Sequence, residues 1–98
     1  MSDDDFGFAL PAFNADNALV QIKRALRDLK LAERGSGFEL KGKSVLQLAV
    51  EDAGIGVRLA KRLSMTPEWD RQTVRSGADQ RKLLDEVKRR LERWQRED

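Results

Sequence analysis

The chain has 98 residues, with 19 Lys plus Arg, 17 Asp plus Glu, and no His, Cys or Tyr. Without Cys there is no disulfide, thiolate nucleophile or sulfur-ligated zinc, and without His the side chain that titrates near neutrality and the commonest transition-metal ligand are missing. The formal charge of +2 averages two unlike parts: residues 1–16 hold four aspartates and no base, net −4, whereas residues 17–98 hold all 19 bases against 13 acids, net +6. A length of about 100 residues suffices for one hydrophobic core and not two. No apolar run approaches the roughly 18 residues needed to cross a bilayer, and the start from Met1 to Asp5 is acidic where a secretory leader is basic. The expected setting is therefore the cytoplasm, with no membrane partner.

Residues 1–13, MSDDDFGFALPAF, carry three Asp, a Gly and a Pro, which disfavour a helix, while Phe6, Phe8 and Leu10 alternate at strand spacing. This segment reads as an acidic, aromatic arm before one small domain at 14–98. Three roles are open to it. It is a frayed terminus, or it lies on the domain's own apolar surface or sheet edge, or it is a linear motif. In the last case Phe6 and Phe8 anchor in a partner's groove and the aspartates steer toward basic surface.

Asn14 or Asp16 can cap a helix over about 17–30, because Leu19, Ile22, Leu26 and Leu29 share one face. Arg34-Gly35-Ser36-Gly37 then breaks the chain. Two readings compete for residues 44–63. As strands, Phe38 and Leu40 precede a Lys41-Gly42-Lys43 turn, Leu46, Leu48 and Val50 alternate with polar or small residues, and Asp52-Ala53-Gly54 turns the chain into Ile55, Val57 and Leu59. As helices, Ser44 caps a segment that Gly54 ends, and a second short helix follows, giving a helix-turn-helix-like centre. Strands are favoured, because the glycine turns sit at hairpin spacing and Gly56 costs about 1 kcal/mol inside a helix.

Pro67 suits the first position of a single helical turn, and Thr73 with Val74 suggests a fourth, edge strand over 71–75. Ser76 with Asp79 three residues on resembles a capping box for a last helix reaching about Gln95. Leu83, Leu84, Val87, Leu91 and Trp94 form its apolar stripe. The acid-before-base pairs Asp85 with Arg89, Glu86 with Arg90 and Glu92 with Arg96 each add a few tenths of a kcal/mol, about 0.2–0.5. The expected fold is α+β: a helix, a three- to four-stranded antiparallel meander and a helix, with both helices on one sheet face. The alternative is all-α around the helix-turn-helix-like centre.

No catalytic constellation emerges. Asp, Glu, Lys, Ser and Thr remain as candidate acids, bases or nucleophiles, but no spacing singles out a carboxylate pair, and Ser44 beside Lys41 or Lys43 is ordinary turn chemistry. Neither phosphate-binding glycine pattern occurs, and Asp3 to Asp5 lack the bend of a calcium loop. No enzyme, cofactor or metal is expected.

Basic residues are the remaining signal. In the strand register Arg58 and Arg62 share an outward face with Gly56 and Ala60, a small-residue, cationic surface fit for phosphates or an acidic partner. Trp69 either caps the core edge or stands as a part-exposed anchor. The first expectation is a non-enzymatic module binding a protein through Phe6, Phe8, Arg58, Arg62 and Trp69. The second is RNA or DNA binding through Lys41, Lys43, Arg58, Arg62, Arg81 and Lys82. Double-stranded-RNA-binding domains share the element order, but their second helix opens on a basic run where this chain has Gly77-Ala78-Asp79-Gln80-Arg81-Lys82, so only the order is common. Two sheet edges and an uncovered face also leave room for a homo-oligomer.

Overall fold

The computed structural model describes residues 13–52 and 54–97. In chain order the elements are α1 (Ala15–Asp28), β1 (Ala32–Arg34), β2 (Gly37–Leu40), β3 (Lys43–Glu51), β4 (Gly54–Ala60), β5 (Trp69–Val74) and α2 (Gly77–Arg96). The strands form one antiparallel sheet in the order β1-β2-β3-β4-β5, each pairing with its neighbour in sequence. The fold is the expected α+β arrangement with five strands rather than three or four. Residues 44–51 and 54–60 are extended strand, so the helix-turn-helix alternative is set aside, and no helical turn forms at Pro67.

Both helices begin where their caps place them. The Asn14 side chain accepts the Asn17 N–H at 3.0 Å, and the Ser76 hydroxyl accepts the Asp79 N–H at 3.1 Å while the Asp79 carboxylate reaches back to the Arg75 N–H at 3.0 Å. Helix α1 ends two residues before the predicted Lys30. Lys30 takes a left-handed conformation, φ 71°, and the N–H groups of Lys30 and Leu31 bond to the carbonyls of Arg27 and Leu26. That is a Schellman motif with lysine where glycine is usual. Ala18, Ile22 and Leu26 are the fully buried face of α1, with Leu19 and Leu29 at its margins; α2 buries Leu83, Val87, Leu91 and Trp94. Each large apolar side chain so buried stabilises the fold by about 1.5–3 kcal/mol.

The sheet meets the helices through Phe38, Leu46, Leu48, Ile55, Val57, Leu59 and Val74, and its other face has no helix over it among the described residues. A bulge makes β3 fit. Phe38 pairs with Leu46 but Glu39 pairs with Ser44, so Val45 is an extra residue, and Val45 and Leu46 are both buried. Lys41 and Gly42, both with positive φ, form the two-residue turn between β2 and β3 that matches the twist of a hairpin.

Gly54 is the most constrained turn position. Its φ is +144°, and a Cβ there would run into the Val74 carbonyl. Gly54→Ala is expected to cost about 2–3 kcal/mol, from backbone strain together with the clash. Urea denaturation followed by circular dichroism measures it, and a loss below 0.5 kcal/mol, roughly the scale of an ordinary surface change, would contradict the geometry.

Candidate binding site on the open sheet face

Alternation decides which side chains reach the uncovered face. Across the strands, Arg34 stands opposite Gly37, Gly37 opposite Gln47, Gln47 opposite Arg58 and Arg58 opposite Arg71. The adjacent row is Ala49, Gly56 and Thr73. Small residues in the second row leave a trough of about 560 Å³, walled by Gln47, Arg58, Arg71 and Thr73 and bounded by Ser36 and Glu51. A Cβ at Gly56 would lie 2.5 Å from a Glu51 carboxylate oxygen, so glycine is what lets Glu51 fold across the floor. Arginines therefore stand at one end of the trough and a carboxylate at the other.

The arginine pair is close as well as opposed. The Lys61 N–H bonds to the Glu68 carbonyl at 2.9 Å, and hydrogen-bonded pairs alternate along an antiparallel ladder. Hence 59 with 70, 57 with 72 and 55 with 74 carry the β4–β5 hydrogen bonds, whereas Arg58 with Arg71 is a non-bonded pair, whose Cα atoms approach to about 4.5 Å. Like charges directly opposite destabilise a sheet. Among the described residues neither arginine has an ion-pair partner.

Elsewhere the described carboxylates are often engaged. Glu33 is met by Arg27 at 2.8 Å and Lys23 at 3.4 Å, and the Arg27 hydrogen bond leads in holding its pKa below the ordinary value. Asp70, next in sequence to Arg71, points to the helix side and is taken by Arg90 at 2.8 Å and Lys61 at 3.6 Å. Arg90 also binds Glu86 at 2.7 Å, and its hydrogen bonds are the leading cause that lowers the pKa of both acids.

The residues singled out from sequence fare differently. Arg58 lies on the open face as expected. Arg62 does not share it, because β4 stops at Ala60 and the chain enters the irregular segment 61–68. Trp69 opens β5 opposite Ala60 and is half-buried against the core. Phe6 and Phe8 lie outside the described residues, although Phe13, assigned to the same arm, packs against the core. Lys41 sits in the β2–β3 turn with its ammonium 3.3 Å from the Gln95 carbonyl, and Lys43 opens β3 beside that turn. Arg81 and Lys82 are near the start of α2, some 13 residues before Gln95 and thus about 20 Å from Lys41 along the helix. The basic residues chosen for nucleic acid are thus dispersed over both layers. Sequence reasoning missed Arg71 as the partner of Arg58; the alternation of Trp69, Arg71 and Thr73 against Asp70, Gln72 and Val74 was the available signal.

No protein-family model, curated protein or solved structure matches the chain. Among the described residues no three carboxylates converge as metal ligands, and no helix is long and apolar enough to cross a membrane. What the trough can do chemically is bind: two guanidiniums offer paired N–H donors to a carboxylate or phosphate, and Glu51 offers an acceptor for a donor at the far end.

Proposed function

We propose that this protein is a non-enzymatic binding module that captures an acidic segment of a partner protein on its open sheet face, anchored by Arg58 and Arg71. The observation that carries the reading is the directly opposed, unneutralised arginine pair, an arrangement unfavourable to the fold alone and relieved when an anion bridges it. A protein partner is favoured over nucleic acid by two features. Among the described residues the cations of the trough without an ion-pair partner are one pair rather than a track, and no aromatic side chain lines the trough for base stacking.

Arg71→Glu is the discriminating variant, because it places opposite charges face to face on β4 and β5. It is expected to raise stability by about 0.5–1 kcal/mol in urea denaturation while weakening binding. Binding is read by fluorescence anisotropy with a labelled nonapeptide alternating Glu and Thr, and the loss should be at least tenfold. A 20-nucleotide single-stranded DNA under the same label serves as the second ligand. Tighter binding of the DNA, with steep salt dependence, would replace the protein-partner reading by the nucleic-acid one. Unchanged peptide affinity in Arg71→Glu would refute the anchor.

A further inference from the structure

The trough does not end at the sheet's edge. Strand β5 pairs with β4 on one side, and among the described residues no strand pairs with the other. The alternation worked out above assigns the backbone groups of Asp70, Gln72 and Val74 to β4, so the N–H and C=O groups of Trp69, Arg71 and Thr73 point away from the sheet. Arg71 and Thr73 also carry their side chains on the open face, while Trp69, at the start of the strand, packs against the core. A second groove, of about 540 Å³, runs along the α2 side of this edge between Arg71, Gln72, Lys82 and Asp85. Arg71 and Gln72 line both grooves, and the free edge lies between them.

We infer that the acidic partner segment binds by antiparallel strand addition to β5, with its acidic side chains on the open face beside Arg71. This rests on the anchor reading above and specifies its geometry. Strand addition supplies affinity through main-chain bonds and specificity through alternate side chains. In an antiparallel ladder a residue hydrogen-bonded to Arg71 projects its side chain to the same face as Arg71. A Glu or Asp at that position meets Arg71, with Arg58 one strand further in. On the α2 side, Asp70 and Glu86 are already held by Arg90, and Asp85 is offset by Lys82, neither having an ion-pair partner among the described residues, so the flank is not closed to an acidic chain.

Charge also argues against a second copy of this chain as the occupant. Antiparallel self-pairing through Trp69, Arg71 and Thr73 in the register that uses all three would put Arg71 opposite its own symmetry mate, a like-charge pair at the centre of the interface.

The test uses the full chain and the Glu–Thr nonapeptide, with two further versions carrying backbone N-methyl groups either on the glutamates or on the threonines. In the assigned register the glutamate N–H groups point at β5 and the threonine N–H groups point outward. N-methylation of the glutamates is expected to weaken binding at least tenfold, and of the threonines less than threefold. In parallel, Thr73→Pro removes an outward N–H without taking a bond from the β4 ladder, and is expected to weaken binding of the unmodified peptide at least fivefold. Amide exchange gives a readout that needs no variant: Trp69, Arg71 and Thr73 exchange fast in the free protein and slow at least tenfold with peptide, whereas Asp70, Gln72 and Val74 are protected throughout.

Equal effects of the two methylations, or the reverse order, would overturn strand addition. If Arg71→Glu still abolished binding in that case, the anchor would stand and only the geometry would fall. Absence of binding by the unmodified peptide would overturn both. Concentration-dependent dimerisation, lost on Thr73→Pro, would put a second copy on the edge instead and overturn the acidic occupant.

Discussion

Trp94→Ala is expected to lower stability by about 3–5 kcal/mol, the largest loss of any single substitution considered for this chain. Trp94 is the largest fully buried side chain and sits in the last turns of α2. That end of the helix is tied to the β4–β5 segment on its outer side. The Glu97 carboxylate accepts the Leu63 N–H at 3.0 Å, and Arg93 donates to the Lys61 carbonyl at 2.6 Å. The indole therefore closes one end of the core, and removing it opens a cavity that these ties keep from collapsing. In a domain whose total stability is about 5–15 kcal/mol, such a loss shifts the urea midpoint far toward zero with the slope unchanged. The conservative variant separates packing from polarity. Among the described residues Trp94 Nε1 is buried with no hydrogen-bond partner, and leaving such a donor unsatisfied costs about 1–3 kcal/mol. Trp94→Phe removes that cost while giving up part of the ring, so it should stay within about 1.5 kcal/mol of the parent. A Trp94→Phe loss as large as that of Trp94→Ala would mean that the indole N–H has a partner.

What the sequence revealed and what it concealed follow from how each element is held. The helices were legible because their signals are local: Asn14 and Ser76 cap, and the apolar stripes repeat at helical period. Strands β3 and β4 were legible because Leu46, Leu48, Ile55, Val57 and Leu59 alternate against one covered face. Strand β1 was invisible for the converse reason. Ala32, Glu33 and Arg34 are all exposed, so no burial pattern marks them, and the strand exists through pairing with β2 and through Glu33 reaching Arg27 and Lys23 on α1. The early end of α1 was hidden by Lys30, which takes a conformation that lysine seldom announces.

The candidate site was half legible. Period two put Arg58 outward on a small-residue face, but it says nothing about where a strand stops, and Arg62 was carried along beyond the end of β4. Arg71 needed the register between β4 and β5, a non-local quantity fixed by the irregular segment 61–68 and by the Lys61–Glu68 hydrogen bond. The free edge of β5 is likewise a property of the assembled sheet. Of the helix ion pairs, Glu86–Arg90 forms as expected but belongs to a larger cluster, whereas Arg89 turns to Glu86 at i−3 rather than to Asp85.

That cluster sets the second large effect. Arg90→Met is expected to cost about 3 kcal/mol, several times the value of an isolated helix-surface pair. The Arg90 side chain is 15 % exposed. Its guanidinium donates to Glu86 at 2.7 Å, Asp70 at 2.8 Å and the Ala60 carbonyl at 3.0 Å, with a longer contact to the Leu59 carbonyl at 3.5 Å. One planar fork thereby joins α2 to the end of β4 and the start of β5. Methionine keeps most of the aliphatic volume but leaves two carboxylates and two carbonyls to find other donors. Arg90→Lys should recover less than half of the loss, because a single ammonium cannot match the fork. Thermal unfolding measures both variants, with a fall of roughly 15 °C expected for methionine at about 4–8 °C per kcal/mol. Acid supplies an independent check. Asp70 and Glu86 have folded pKa values below their unfolded ones, so their contribution is complete above the unfolded values and is lost as pH falls through the folded ones. The stability gap between the parent and Arg90→Met should therefore be constant from pH 7 down to about 5 and narrow below about 4. A gap that did not narrow as the pH fell below about 4 would assign the effect to packing of the arginine stem instead of its charge.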